Sequence, residues 1–422
     1  MKRGTVHVIV GGSYGSESKG LAVAQCCFLP SVSAVVRTGS INAGHTVYFK
    51  GKAYAMQQIP VGWINPSIML VIGRGAYVHK ETLMKEIATV EEATGRSIKD
   101  KLFIDPMCFV HTDEHIEEER EQGIHTRIGS TSEGVGAALI DKVSRKKHSA
   151  LLIHQDWSSC GKFQLVDTQE LLDQELQMGN DVVVEGTQGT MLDVHFGEYP
   201  YVTSRQTIAS AWLAEAGLPP VNVSTTMVCR AFPIRVAGNS GSLPGELGWL
   251  DMFNNWNAAL EGQGLPPRVP AELIKRFTEA ELQACKDLEL SIPPYLLSQV
   301  AKEQNKKSCS EFYSYIFSKD PQLQTDLKPF IEMTTVTKKV RRIAALDEAE
   351  LAYAARLNRP AWVVMNFLNY KFPSLQGKTN DELTGDERLW LKGYKDKIEG
   401  ITGSALLFGS TSPTTLINFD TI

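Results

Sequence analysis

Residues 11–20 combine glycines, hydroxyls and a lysine in a spacing that suits phosphate binding. Three glycines punctuate a polar loop that ends at Lys19, directly after a short Val/Ile-rich run. Glycines let the backbone approach an anion, while a lysine and the free N–H groups of a helix N-terminus supply positive potential. The loop is not a standard P-loop, because Ser13 and Ser18 stand where that motif has its two glycines. A plain strand–turn–helix with a solvated lysine is the alternative.

Other polar segments carry related chemistry. A second motif, INAGHT at residues 41–46, follows another short apolar run. Residues 128–146 hold small residues that suit a backbone nest for an anion, and Arg145 can bind a phosphate through two hydrogen bonds. Residues 182–204 run from a hydrophobic strand into a polar loop, and residues 334–342 carry four cations. The alternatives are an ordinary loop before a helix at 128–146 and a solvated face at 334–342.

The elements that must position these segments alternate between strand and helix through the first 230 residues. Val/Ile-rich runs predict strands at 6–10, 70–73, 101–105, 150–154, 181–186, 360–369 and 405–410, with helices at 80–95 and 168–179. This alternation predicts an α/β fold with a mainly parallel central sheet flanked by helices. The polar loop of 182–204 then lies at the carboxyl end of a strand, where such sheets bind ligands. Residues 245–332 are predicted to be a largely helical insertion or subdomain within a single domain, 1–422.

Composition excludes several classes of protein. The net charge of −5 gives no electrostatic case for nucleic-acid binding. No apolar run approaches membrane-spanning length and no signal peptide precedes the first strand, so no membrane partner is expected. The seven cysteines are scattered without a C-x-x-C pair, which favours free thiols. We therefore expect a cytoplasmic protein, in the host cytoplasm if the chain is viral.

Together these motifs resemble those of the adenylosuccinate synthetase family. That family has G-x-x-x-G-D-E-G-K-G and then N-A-G-H-T, matched here by GGSYGSESKG and NAGHT. Its E-G-A-Q-G-x-x-L-D-x-x-x-G-x-Y-P-Y-V-T-S segment is matched almost without gaps by residues 185–204. The resemblance covers most of residues 5–245 and 334–412. It implies a P-loop-NTPase-like fold, a homodimer, Mg²⁺ as cofactor and a carbon–nitrogen ligase. In that reaction a nucleoside triphosphate phosphorylates the 6-oxygen of a purine monophosphate, and aspartate then displaces the phosphate.

The resemblance also implies which residues act. Catalytic roles fall to Ser16, Lys19, His45 and Gln188, and Mg²⁺ ligation to Ser16 and Gly44. The triphosphate site comprises Gly15, Ser16, Glu17, Ser18, Lys19, Gly20, Gly44, His45, Thr46, Asn366, Asn369 and Gly409. The acceptor-nucleotide site comprises Ser16, Asn42, Ser130, Thr131, Arg145, Gln188 and Thr203. The aspartate site comprises Thr335, Val336, Thr337, Lys339 and Arg341.

Two departures from the family pattern change the expected substrates. Ser16 stands where the family has an aspartate that takes the N1 proton, and Phe367 and Asn369 replace the lysine and aspartate that select guanine in GTP. An asparagine offers both a donor and an acceptor and can pair with adenine. A serine is shorter than aspartate and uncharged, leaving room for a purine 2-amino group. The same two changes occur in bacteriophage-type relatives that make 2-aminoadenine nucleotides.

The resemblance to those phage-type members implies a specific reaction. It is the condensation of dGMP with L-aspartate to N6-succino-2-amino-2′-deoxyadenylate, driven by ATP or dATP. Two alternatives stay open: an ordinary synthetase acting on IMP with GTP, and a non-catalytic nucleotide-binding protein. Lys339 stands where the family has an arginine, and lysine cannot form the same planar bidentate contact. Glu133 likewise replaces a glycine–arginine region of the family, so contacts between subunits there must differ.

Overall fold

The computed structural model describes residues 3–145, 150–157, 161–236, 240–291, 293, 309–334 and 339–422. The strands are β1 (Val6–Gly11), β2 (Val32–Arg37), β3 (His45–Phe49), β4 (Lys52–Met56), β5 (Met69–Ile72), β6 (Tyr77–His79), β7 (Leu102–Ile104), β8 (Phe109–His111), β9 (Gln164–Leu165), β10 (Asp181–Glu185), β11 (Val223–Arg230), β12 (Ile234–Arg235), β13 (Glu246–Leu247), β14 (Arg342–Ala344), β15 (Trp362–Asn366), β16 (Ala405–Ser410) and β17 (Leu416–Asn418). The helices are α1 (Lys19–Cys26), α2 (Lys80–Thr94), α3 (Asp113–Glu121), α4 (Ile124–Ile128), α5 (Val135–Ser144), α6 (Thr168–Gln177), α7 (Ala209–Ala216), α8 (Trp249–Glu261), α9 (Ala271–Asp287), α10 (Cys309–Lys319), α11 (Pro321–Leu327), α12 (Glu348–Asn358), α13 (Leu368–Lys371) and α14 (Gly385–Thr402).

A ten-stranded sheet organises the molecule, with strand order β17-β16-β15-β11-β1-β10-β2-β5-β7-β9. Its neighbouring strands are parallel except β16 and β17, which are antiparallel. Val8 and Val10 of β1 pack into one apolar cluster, while Ile9 between them packs into another, because successive side chains of a strand point to opposite faces. The predicted α/β fold with a mainly parallel sheet flanked by helices is confirmed.

The strand predicted at residues 150–154 is wrong. Leu151 forms only an isolated antiparallel bridge to Phe109, and Leu152–His154 is a single 3-10 turn. The apolar run there covers only residues 150–153, and the pattern of so short a run does not distinguish a strand from a helical turn.

Five strand ends position the polar segments. The neighbouring strands β15, β11, β1, β10 and β2 are mutually parallel, so their carboxyl ends lie along one edge of the sheet. The phosphate-binding loop follows β1, residues 186–204 follow β10, and the NAGHT motif follows β2. Segments that are far apart in the sequence therefore meet at this edge, as expected for ligand sites of parallel sheets.

The range 245–332 is built differently from the sheet region. Its described part contains helices α8 to α11 and one two-residue strand, β13. These helices pack around an apolar cluster distinct from those of the central sheet; it includes Phe253, Phe277 and Phe312, together with Ile234 and Ile343 of β12 and β14. This separate cluster supports the proposal that residues 245–332 are a largely helical insertion within one domain.

Candidate active site

The loop between β1 and α1 folds around one of its own carboxylates. Glu17 is buried, and its Oε1 accepts hydrogen bonds from the backbone N–H groups of Gly15 (2.7 Å) and Ser13 (3.2 Å). Its Oε2 lies 2.9 Å from Lys19 Nζ, which is also buried. These backbone N–H groups and this ammonium are the donors that a phosphate would use. A triphosphate must therefore compete with Glu17 for them.

Close backbone packing joins this loop to the other two motifs. Gly15 has φ +94°, and a Cβ there would lie 3.1 Å from the Cα of Gln188. A Cβ on Gly20 would lie 2.7 Å from the carbonyl oxygen of Thr46. Both glycines are thus required by contacts with the 186–204 loop and with the start of β3. Ser18, which precedes α1, adopts φ +63° without a glycine and without a side-chain cap bond.

His45 is held by a buried ion pair between Arg37 and Glu185. Its Nδ1 lies 2.7 Å from Glu185 Oε1, and Arg37 contacts the same carboxylate oxygen. Burial and the Arg37 charge lower the pKa of His45 to about 4. Burial would raise the pKa of Glu185, but Arg37 and the bond from His45 outweigh it and lower that pKa to about 2. The imidazole is therefore neutral at pH 7, with its Nδ1–H donating to the ionised Glu185.

The outer nitrogen of this imidazole is set up to meet a ligand. His45 Nε2 is buried and has no hydrogen-bond partner among the described residues. In the neutral ring it carries a lone pair. An approaching phosphate would favour protonation of Nε2, and Glu185 would stabilise the resulting imidazolium.

Ser16 lies between two arginines. Its Oγ accepts a hydrogen bond from Arg341 Nη1 at 2.5 Å, and its carbonyl oxygen accepts one from Arg230 Nη1 at 3.0 Å. Arg230 also pairs with Glu332, whose Oε1 accepts a hydrogen bond from Tyr370 at 2.8 Å. Burial opposes ionisation of Glu332, but the Arg230 charge holds its pKa below the usual range. Arg341, predicted to bind aspartate, thus joins the aspartate segment to the phosphate-binding loop.

A cavity of about 510 Å³ lies beside the loop that precedes α5. Four of the predicted acceptor-nucleotide residues line it: Asn42, Ser130, Thr131 and Thr203. Arg145 does not, because it caps the opposite end of α5 and is exposed. Helix α5, ten residues and about 15 Å long, lies between Arg145 and Thr131 in the same chain. Gln188, in contrast, packs against the phosphate-binding loop, and its Oε1 accepts a hydrogen bond from the Thr187 hydroxyl at 2.5 Å.

The residues predicted to read the base of the triphosphate lie at the end of β15. Asn366 is fully buried and donates to the carbonyl oxygen of Glu17 at 2.7 Å, so it supports the phosphate-binding loop. Asn369 is also buried and donates to Gln376 Oε1 at 2.7 Å. Gly409 lies on the neighbouring β16, where a Cβ would lie 2.5 Å from the Met365 carbonyl oxygen. The ring of Phe367 is covered by the Arg230 guanidinium at 3.6 Å.

Part of the predicted aspartate site can be placed. Thr335, Val336 and Thr337 lie outside the described residues. Lys339 Nζ lies 3.2 Å from His125 Nε2, and its backbone N–H donates to Thr334 Oγ1 at 2.9 Å.

The residues predicted to bind Mg²⁺ do not fit a metal at Ser16. The Ser16 oxygen already accepts from a guanidinium, whose charge would repel a cation there. The described residues also contain no group of three His, Cys, Asp or Glu side chains that could hold a metal ion. The backbone oxygen of exposed Gly44 is the remaining predicted donor.

Sequence reasoning missed the roles of three charged residues at strand ends. Glu185 and Arg37 end β10 and β2, and Arg230 ends β11. A charged residue that closes a Val/Ile-rich run, at the edge where parallel sheets bind ligands, is the signal that marks all three.

Comparison with known proteins fits this geometry. A family model described as adenylosuccinate synthetase matches residues 8–159 and 155–371. The chain belongs to the adenylosuccinate synthetase family. Adenylosuccinate synthetase of Methanococcus aeolicus is 35% identical over 246 residues, which are 58% of this chain and 70% of that protein. The enzyme of Pyrococcus horikoshii is 35% identical over 243 residues, 57% of this chain and 69% of the relative. Members of this family are ligases that form a carbon–nitrogen bond with aspartate, and this chain is therefore a ligase of that kind.

Two solved structures share the fold of this family member. Succinoaminodeoxyadenylate synthetase of cyanophage S-2L, solved with dGMP and dATP, has a TM-score of 0.68 at 23% identity, covering 99% of this chain and 96% of its own. Fully ligated adenylosuccinate synthetase from Plasmodium falciparum has a TM-score of 0.69 at 18% identity, covering 98% and 100%. In the part of the chain that the structure describes, no helix is long and apolar enough to cross a membrane.

Proposed function

We propose that this family member condenses dGMP with L-aspartate to N6-succino-2-amino-2′-deoxyadenylate, using ATP or dATP as phosphate donor. The observation that carries the proposal is Ser16. Its uncharged hydroxyl is hydrogen-bonded to Arg341 where the family has an aspartate. A guanine acceptor carries a 2-amino group that IMP lacks, and the shorter serine leaves space for it. The cyanophage protein with the same fold was solved with dGMP and dATP, which supports this assignment.

The proposed roles follow from the contacts. Lys19 exchanges Glu17 for the γ-phosphate, and His45, stabilised by Glu185, donates a hydrogen bond to the transferring phosphoryl group. Gln188 faces the base near its 6-oxygen. Asn42, Ser130, Thr131 and Thr203 bind the acceptor nucleotide in the 510 Å³ cavity. Mg²⁺ would be held by the triphosphate oxygens and Gly44.

The partners are proposed to be dGMP, aspartate, ATP or dATP and a second copy of the chain, which completes the phosphate site with Arg145. Exposed Ile140 and Val143 on the same helix as Arg145 support such a contact. A cytoplasmic location and the absence of nucleic-acid and membrane partners stay predictions.

One alternative has its own support. The archaeal relatives at about 35% identity are adenylosuccinate synthetases, which favours IMP as acceptor. The test is product analysis by mass spectrometry after incubation with aspartate, Mg²⁺ and each combination of dGMP or IMP with ATP or GTP. We expect the succino product and inorganic phosphate from dGMP with ATP. A product from IMP with GTP and none from dGMP would overturn the proposal.

A further inference from the structure

One histidine connects two segments that are proposed to bind different substrates. Lys339 Nζ, in the aspartate segment, lies 3.2 Å from His125 Nε2. His125 Nδ1 lies 2.7 Å from the carbonyl oxygen of Ser130, which lines the acceptor cavity. These two hydrogen bonds connect the aspartate segment, residues 334–342, to the wall of that cavity.

The partners fix the direction of each hydrogen bond. A carbonyl oxygen can only accept, so His125 Nδ1 carries a proton and donates it to Ser130. The Nε2 atom of the neutral ring then has a lone pair, which accepts from the Lys339 ammonium. His125 is therefore used at both nitrogens, once as donor and once as acceptor.

His125 and Lys339 are each held in place by their own segments. His125 belongs to α4, whose Ile124 and Ile128 also line the cavity. Lys339 is tied to its own segment by two hydrogen bonds with Thr334, one from the Lys339 N–H at 2.9 Å and one to the Lys339 carbonyl oxygen at 2.8 Å. A movement of the cavity wall is therefore transmitted to Lys339 through the side chain of His125.

We propose that His125 is a positioning residue that couples aspartate binding to acceptor-nucleotide binding. An acceptor nucleotide that orders the cavity wall at Ser130 fixes the position of His125. His125 in turn keeps Lys339 in place to bind aspartate. By linkage, a bound acceptor and bound aspartate raise each other's affinity by the same factor. The inference rests on the proposed function only in that both substrates bind here; it does not depend on which purine monophosphate is used.

Two conservative variants separate the two hydrogen bonds. The amide nitrogen of His125→Asn overlies Nδ1 and keeps the bond to Ser130, but the side chain is too short to accept from Lys339. The amide of His125→Gln overlies Nε2, so its oxygen keeps an acceptor for Lys339. His195→Asn, on an exposed histidine, is the matched control.

The measurement is the aspartate KM at low and at saturating acceptor, with both dGMP and IMP. We expect saturating acceptor to lower the aspartate KM about fivefold or more in the wild type and in His195→Asn. The ratio of the aspartate KM at low acceptor to that at saturating acceptor should fall towards one in His125→Asn and in Lys339→Ala. The double variant should show no further loss. His125→Gln should recover part of the ratio. In His125→Asn and His125→Gln, the kcat at saturation of all substrates should stay within about threefold of wild type.

The outcomes distinguish the inference from the proposed function. If the wild type and the folded His125→Asn variant show the same ratio of aspartate KM values, the proposed coupling is wrong. That result does not bear on whether dGMP is the acceptor. Coupling that is lost in His125→Asn with IMP, together with no turnover of dGMP, upholds the coupling and overturns the proposed acceptor. Calorimetric titration of aspartate with and without acceptor gives the same ratio for a variant that binds but turns over slowly.

Discussion

Individual side chains in this site are defined by charged partners, and the motifs do not show which residues pair. The Ser16 hydroxyl accepts from Arg341, His45 donates to Glu185, and Lys19 pairs with Glu17. The motifs contain both members of each pair but do not show which residues pair, because residue type and spacing are local. In two of the three pairs the second member comes from another strand or loop, so the pairing depends on strand order. That is why the roles of Glu185 and of Arg37, which contacts it, were not predicted.

At this scale, His45 should make the stability of the protein depend on pH. Its pKa is about 4 in the folded state against 6.5 for the free side chain, so between these values the unfolded chain binds a proton that the folded chain does not. Stability therefore falls as pH falls from 6.5 to 4, by up to about 3 kcal/mol from this residue. The free energy of unfolding, measured with urea at several pH values in this range, should depend less steeply on pH in His45→Gln. The slope should be smaller than in the wild type by up to about 1.4 kcal/mol per pH unit. His195→Gln is the control, and an unchanged slope in His45→Gln would contradict a buried neutral His45.

A second residue-level prediction concerns the base of the phosphate donor. A carboxylate accepts from both N1–H and the 2-amino group of guanine, whereas an asparagine offers one acceptor and one donor. Asn369→Asp should therefore raise the ratio of kcat/KM for GTP to that for ATP by about tenfold or more. Asn369→Ala, the matched control, should weaken ATP use without a gain with GTP. If Asn369→Asp also leaves GTP unused, Asn369 does not contact the donor base.

At the scale of elements, the position of a loop at the sheet edge was easier to predict from the sequence than the side-chain contacts that the loop makes. Val/Ile-rich runs and the carboxyl-end rule placed the 182–204 loop at a ligand-binding edge, and in the structure the loops after β1 and β2 lie at that same edge. The run at 150–154 failed because its pattern is too short to distinguish a strand from a turn. Arg145 was grouped with Thr131 through the family resemblance, although helix α5 lies between them.

The start of α1 offers a test of loop geometry. Ser18 has φ +63° and ψ +45°, a conformation that costs an L-residue about 1–2 kcal/mol and a glycine little. Ser18→Gly should therefore raise the free energy of unfolding by about 1 kcal/mol, measured by urea denaturation. Ser18→Ala keeps the strain and removes only a hydroxyl that makes no cap bond, so it should not gain stability. A destabilised Ser18→Gly would contradict a left-handed conformation at this position.

At the scale of the whole molecule, one chain does not bring all the residues proposed for the acceptor site together. Thr131 lines the cavity while Arg145 lies at the far end of α5, exposed together with Ile140 (54%) and Val143 (63%). A second chain packed against this helix would bring its own Arg145 to the cavity. The family resemblance implies a homodimer, and this geometry gives that proposal a structural reason.

Subunit mixing tests the proposal directly. Arg145→Ala and Thr131→Ala should each lose most activity. Unfolded together and refolded, they should recover about a quarter of wild-type activity, because half of the random dimers are mixed and each has one intact site. The separately refolded variants are the control. Recovery no greater than the sum of the separate variants would mean that Arg145 serves its own chain or no site at all.

The central claim is that Ser16 marks a guanine acceptor, and a competition experiment tests it most directly. Wild-type protein receives dGMP and IMP at equal concentration with aspartate, Mg²⁺ and ATP, and the ratio of the two succino products gives the ratio of kcat/KM. We predict at least about a tenfold excess of the product from dGMP, equivalent to about 1.4 kcal/mol in the transition state. Equal products, or an excess of the product from IMP, would contradict the claim.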